Sequence, residues 1–139
     1  MSNSFPVKEI YTIVMFEYWL NPVFLRVMRD APLQFEIVPG KSPETSVVKL
    51  SGPLTLLNLF GFQEQLRGIN ASYTILDFEN VPYMDSAGLG MVVNLHVSCT
   101  NKGRKVALVG VNPRVLAIFQ STRVDSILKF YGGLEEAEG

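Results

Sequence analysis

The sequence predicts a single α/β domain on a mixed central sheet, in the order β-β-α-β-α-β-α. Three observations predict it. Two strand-like stretches separated by a turn open the regular part of the chain. Helical and strand periods then alternate towards the carboxyl end, which implies parallel crossovers in the second half of the sheet. Finally, 139 residues suit one domain, and a domain of this size buries roughly 68–70% of its unfolded surface without help from metals or disulfides.

The regular pattern begins at residue 33, and the domain is predicted to span 33–137. Leu33-Gln34-Phe35-Glu36-Ile37 alternates apolar with polar, the period of a half-buried strand, and Pro39 to Pro43 reads as a turn. Ser46 to Ser51 is a second strand, so the pair forms a hairpin with more than a minimal loop. Gly52-Pro53 ends it. After Thr55, the spacing of Leu56, Leu59, Phe60, Phe62 and Leu66 is mainly helical, and Gly68 stops the helix. Tyr73 to Phe78 is rich in β-branched and aromatic residues and suits a sheet interior. A turn at Asn80-Val81-Pro82 leads into Tyr83-Met84-Asp85-Ser86-Ala87-Gly88-Leu89-Gly90. Ala87 to Thr100 reads as a helix apolar on most sides, and such a helix must be covered on most sides. Gly103 is its stop. Lys105 to Gly110 is a buried strand, and Asn112-Pro113 starts the next helix, with Asn as cap and Pro in the first turn. A short apolar piece, Ile127 to Tyr131, and an acidic tail, Leu134 to Glu138, finish the chain.

Residues 1–32 stand apart from this pattern. Ile10 to Val27 is apolar but broken by Glu17, Asn21, Pro22 and Arg26, so no run approaches the roughly 20 apolar residues that cross a bilayer. It also lacks the charge layout and cleavage site of a signal peptide. Three readings stay open: a segment packing on the domain or on a second copy as a homodimer, a membrane-surface anchor, or sequence upstream of a natural start at Met28.

Composition excludes several functions. Twelve basic against thirteen acidic residues give a net charge of −1 without a basic block, which speaks against direct binding of nucleic acid. One cysteine, Cys99, makes no internal disulfide, and one histidine, His96, is too few for a His/Cys metal site; no cofactor is expected, and the composition suits a reducing cytoplasm. His96 follows Ser86 by ten residues on the predicted helix, about 15 Å along it, too far for a nucleophile and its base. Cys99 reads as an inert thiol. No nucleotide-binding glycine motif follows a strand: Gly88-Leu89-Gly90 fails the dinucleotide pattern at Val93. Lys102, Arg104 and Lys105 read as a solvated face near a helix's negative end. An enzyme is therefore not expected.

The chemistry gathers at Ser86, at the handover from a strand's carboxyl end to a helix, where α/β sheets collect functional groups. Its hydroxyl can cap the amides of Ala87 to Leu89 or face water. A phosphoryl group there would bring about −1.5 to −2 charge to the positive end of the helix dipole. Gly88 and Gly90 each cost roughly 1 kcal/mol against Ala in a helix. One explanation is that bare backbone admits a docking partner or a kinase; the plainer one is that Asp-Ser is a cap and the glycines relieve crowding against the sheet.

The stretch Ile75-Leu76-Asp77-Phe78-Glu79-Asn80-Val81-Pro82-Tyr83-Met84-Asp85-Ser86-Ala87-Gly88-Leu89-Gly90 resembles the domain shared by sulfate transporters and anti-sigma factor antagonists, the STAS domain. The resemblance implies an anti-sigma factor antagonist. In that branch the serine after the aspartate, here Ser86, is phosphorylated by an anti-sigma factor with serine kinase activity. The unphosphorylated form binds that kinase and frees the sigma factor, and a metal-dependent serine phosphatase resets the switch. The implied partner-binding set is Thr55, Met84, Asp85, Ser86, Ala87, Gly88, Leu89 and Gly90. One departure stands out: Gly52-Pro53-Leu54-Thr55 carries Thr55 where the family often has Asp, which leaves open a STAS subunit of a transporter ATPase complex or of a stress-signalling scaffold that does not switch.

Overall fold

The computed structural model describes residues 33–139. The expectations for residues 1–32, including Met28 as a start, lie outside the described residues.

Strand β1 (Gln34–Pro39) turns through 40–44 into β2 (Thr45–Ser51), and the two pair antiparallel with Phe35 opposite Leu50 and Val38 opposite Val47. A 3-10 turn (Leu56–Asn58) leads into helix α1 (Leu59–Arg67). Then follow β3 (Tyr73–Asn80), α2 (Ser86–Asn101), β4 (Lys105–Val109), α3 (Pro113–Ser121), a second 3-10 turn (Val124–Ser126), β5 (Lys129–Tyr131) and α4 (Leu134–Glu138). The sheet order is β1-β2-β3-β4-β5, with every pair after the first parallel.

The opening hairpin and the alternation match the expectation, and the carboxyl end adds to it. Ile127 to Tyr131 holds a fifth strand, registered with Val109 opposite Tyr131. Three residues are too short to show a period of two. The acidic tail is helix α4, held by three hydrogen bonds: Lys41 N–H donates to Glu138 Oε2 at 2.7 Å, Gly132 N–H donates to Glu136 Oε2 at 3.1 Å, and Tyr73 O–H donates to the Ala137 carbonyl at 2.9 Å.

Strands β2 to β5 are added in one direction, and right-handed crossovers in one direction place all three connecting helices on the same face. That is where the main core lies. Val48, Leu50, Leu76, Phe78, Val106 and Leu108 point from the sheet into Leu59, Phe62 and Leu66 of α1, Met91 and Val92 of α2, and Val115 and Phe119 of α3. Phe119 stands edge-on to both Phe78 and Phe130. Burying each such ring contributes about 1.5–3 kcal/mol. Alternate residues Val47, Ile75 and Val109 face the other way, where α4 covers them with Leu134 and Ala137.

Local signals work as read. Asn112 Oδ1 accepts the Val115 N–H at 2.8 Å to cap α3, with Pro113 in the first turn. Gly103 takes the left-handed conformation, φ 71°, just past α2. Among the described residues no helix is long and apolar enough to cross a membrane.

Candidate functional site

Because the parallel strands never reverse order, their carboxyl ends form one continuous edge. The segments leaving β2 and β3 run side by side along it. Leu54 N–H donates to the Tyr83 carbonyl at 3.1 Å and Asp85 N–H donates to the Leu54 carbonyl at 3.2 Å, a one-residue parallel bridge between Leu54 and Met84 beyond the strands proper. Asn112 adds a third segment: while its Oδ1 caps α3, its Nδ2 donates to the Val81 carbonyl at 2.9 Å.

Asp85, not Ser86, caps α2. Its backbone is extended, and its Oδ1 accepts the Gly88 N–H at 2.9 Å. Its other oxygen, Oδ2, accepts the Leu56 N–H at 3.1 Å, so the buried carboxylate also closes the 3-10 turn after β2. Of the two roles open to the Ser86 hydroxyl, capping is taken by Asp85 and facing water is left. Ser86 is the first helical residue and its side chain is exposed, in front of the positive end of a sixteen-residue helix.

Gly88 is explained from inside. A Cβ there would meet the Leu54 carbonyl oxygen and lie 2.6 Å from Met84 Cγ. Its bare backbone is filled by the chain's own β2 exit and is not left open to a partner, so the crowding reading holds for Gly88. The partner-binding expectation is redrawn accordingly. Thr55, Met84, Asp85, Ala87 and Gly88 are buried. They support the edge and do not form its surface. Ser86 is exposed, and Leu89 and Gly90 are half-exposed.

Thr55 is wholly enclosed, and its Oγ1 has no hydrogen-bonding partner among the described residues. Beside the edge, the Arg114 guanidinium carbon lies 5.5 Å from the centre of the Tyr83 ring, a cation–π contact. Burial pushes the Tyr83 phenol above its ordinary value; Arg114 opposes this and Asp85 adds to it.

Two features of the surface were missed from sequence. Leu57, on the 3-10 turn that Asp85 closes, is 43% exposed. Leu89, Val93 and Val97 follow at four-residue spacing along the outward side of α2, with Val97 46% exposed and the other two partly so. The expectation that α2 would be covered on most sides is narrowed here: one apolar stripe starts next to Ser86 and is left partly uncovered among the described residues. Its four-residue spacing was visible in the sequence, although a nearly all-apolar helix hides which side faces out. His96 is half-buried on α2, with Nδ1 enclosed and unpartnered among the described residues. Cys99 is half-buried, and burial pushes its thiol up. No cluster of three metal-ligating side chains exists among the described residues.

Comparison with known proteins agrees with this architecture. A Thermotoga maritima protein assigned as an anti-sigma factor antagonist is 34% identical over 71 residues, covering 51% of this chain and 61% of that protein's own length, which is less than two thirds of it. The anti-sigma-B factor antagonist of Staphylococcus aureus is 28% identical over 91 residues, covering 63% of this chain and 84% of its own. The Bacillus cell fate determinant SpoIIAA, solved in its phosphorylated form, superposes with a TM-score of 0.61 over 76% of this chain and 97% of its own; at 19% identity that likeness speaks to the fold. The model of the STAS domain matches residues 36–137, nearly everything from β1 to α4, and the chain belongs to the STAS domain family.

Proposed function

We propose that this chain is an anti-sigma factor antagonist whose binding is switched at Ser86. Unphosphorylated, it binds an anti-sigma factor that is also a serine kinase, and so frees a sigma factor for transcription. Phosphorylation of Ser86 releases it, and a metal-dependent serine phosphatase resets it. It acts by binding and not by catalysis, in the cytoplasm.

The observation that carries this reading is the division of labour between Asp85 and Ser86. Asp85 spends both carboxylate oxygens on holding the edge together, so the neighbouring hydroxyl is left exposed and is not needed for capping. A phosphoryl group on Ser86 would stand at a helix amino end that tolerates an anion, and the helix would survive the modification. It would also stand at the head of the apolar stripe Leu89, Val93 and Val97. A dianion there opposes docking of an apolar or acidic partner face, because that face would have to desolvate it. The experiment is incubation with the cognate kinase and ATP, with one phosphate expected on Ser86 and affinity for the kinase lost. An unmodified chain whose binding is indifferent to Ser86→Asp would refute the switch.

One observation favours a second reading. Thr55 brings no carboxylate to the edge and is sealed from solvent, so a kinase that reads a second carboxylate there, besides Asp85, finds none. In that case the same stripe docks constitutively, as a subunit of a transporter ATPase or of a signalling scaffold. Binding identical in wild type and Ser86→Ala, with no phosphate detected on the chain, distinguishes it.

A further inference from the structure

Arg114 stands where helix electrostatics disfavour it. It follows Pro113 in the first turn of α3, where the helix dipole is positive and opposes a cation. Among the described residues no carboxylate lies within ion-pair distance of its exposed guanidinium. The guanidinium lies instead over the Tyr83 ring, 5.5 Å from its centre. A departure from a local rule without a compensating partner is characteristic of functional sites.

Two fastenings bring this cation to the segment that leads into Ser86. Asn112, the cap of α3, donates from Nδ2 to the Val81 carbonyl at 2.9 Å and to the Pro82 carbonyl at 3.3 Å, so α3 starts against that segment. Tyr83, under the guanidinium, is pinned by the Leu54 N–H, which donates to its carbonyl at 3.1 Å. The Tyr83 phenol responds to the charge of Arg114 and also to that of Asp85, the neighbour of Ser86. Other cations of the described residues lie elsewhere. Arg67, Lys102 and Arg104 are where α1 and α2 end, and Lys105 and Lys129 are where β4 and β5 begin, at the opposite edge of the sheet.

A phosphoryl group on Ser86 needs more than the start of α2. The Gly88 N–H is taken by Asp85 Oδ1, and the Asp85 N–H by the Leu54 carbonyl, which leaves the amides of Ser86 and Ala87 from the set that a helix start offers an anion. The phosphate, carrying about −1.5 to −2 charge, would also adjoin the Asp85 carboxylate. A guanidinium supplies a planar fork of N–H donors that fits two phosphate oxygens at once. The same anion would offset the dipole that disfavours Arg114 at its own helix start.

We infer that Arg114 holds the phosphate of this edge: when Ser86 carries a phosphoryl group, the Arg114 guanidinium pairs with it and ties the start of α3 to the start of α2. This rests on the reading of Ser86 as the phosphate acceptor.

The test installs phosphoserine at position 86 of the full chain by codon reassignment and follows the phosphate by phosphorus NMR through a pH titration. Phosphoserine takes up its last proton at about pH 6. A neighbouring guanidinium favours the dianion, so the midpoint is expected about half a unit lower with Arg114 than in Arg114→Gln, with Arg114→Lys in between and the difference shrinking as salt is raised. Lys102→Gln, at the far end of α2, is expected to leave the midpoint unmoved. The Arg114 Nε–H signal is expected to shift as the phosphate ionises, and to stay still in the chain with unmodified Ser86. The same phosphate midpoint with and without Arg114, an equal shift in Lys102→Gln, or an Arg114 signal indifferent to the phosphate overturns the inference. Because the phosphate is installed without a kinase, these results stand whether or not a kinase modifies the natural chain, and the Ser86 switch is judged separately by incubation with that kinase.

Discussion

Asp85 and Leu56 are joined by a buried hydrogen bond of 3.1 Å from the Leu56 N–H to Asp85 Oδ2, while the other oxygen of the same carboxylate caps α2 at the Gly88 N–H. One side chain thus starts a helical turn after β2 and a helix after β3, and fixes the edge on which Ser86 stands. Asp85→Ala leaves the cap unmade and strands an enclosed amide, so a loss of about 2–4 kcal/mol is expected in urea denaturation. Asp85→Asn keeps one acceptor oxygen and should lose less.

Two helical glycines are expected to respond with opposite signs. Gly88→Ala drives a methyl group towards the Leu54 carbonyl and Met84, and overpacking of this kind costs about 1–3 kcal/mol, more than the gain in helix propensity. Gly61 lies inside α1, exposed, with nothing among the described residues within 4 Å of a Cβ placed there. Gly61→Ala should therefore stabilise by about 0.5–1 kcal/mol. The two unfolding midpoints, measured side by side, check both.

Thr55 is fully buried, and its enclosed hydroxyl is unpartnered among the described residues. Thr55→Val exchanges that hydroxyl for a methyl group of similar size. Stability unchanged or raised by about 1 kcal/mol is expected, because burial of an unpaired polar group costs free energy that the methyl group does not. A loss of stability would show that the hydroxyl has a partner.

The Cys99 thiol is raised above its ordinary value of 9.0, chiefly by burial, with Arg104 and Lys102 opposing. A group whose folded value is raised stabilises fully below the unfolded value, and that contribution is lost as the pH rises through the folded one. The rate of Cys99 alkylation should accordingly have its midpoint above pH 9.0 in the folded chain and move down towards 9.0 in urea.

Much of this molecule was legible because its signals are local. The Leu33 to Ser51 hairpin, the Asn112-Pro113 start and the Gly103 stop each follow from a few neighbouring residues. What escaped depends on distant parts of the chain. Gly88 is required by the Leu54 carbonyl, and the second oxygen of Asp85 is claimed by Leu56; neither partner is near in sequence. Strand β5 is set by pairing with β4 and not by a pattern of its own, and α4 by anchors on Lys41 and Tyr73. At the candidate site the motif pointed to the edge where the chain leaves β2 and β3. Burial then divided that motif into supporting residues and an exposed serine, and it brought in Leu57, Val93 and Val97 as surface.

Ser86→Ala should fold as wild type, within about 0.5 kcal/mol, because the exposed hydroxyl is not the cap. Ser86→Asp should be as stable or slightly more so, by about 0.3–1 kcal/mol, through its charge at the helix amino end. Equal circular dichroism and closely similar midpoints for the three forms would show that any change in binding is not a change in folding.

The most direct test purifies the chain and its Ser86→Ala variant from the native host with phosphatase inhibitors present, maps phosphate by fragment mass spectrometry, and identifies co-purifying kinases. The account predicts one phosphate, on Ser86, absent from the variant, with the unphosphorylated fraction retaining an anti-sigma kinase that the phosphorylated fraction has lost. A chain without phosphate at Ser86, retaining the same partners in both forms, would contradict it.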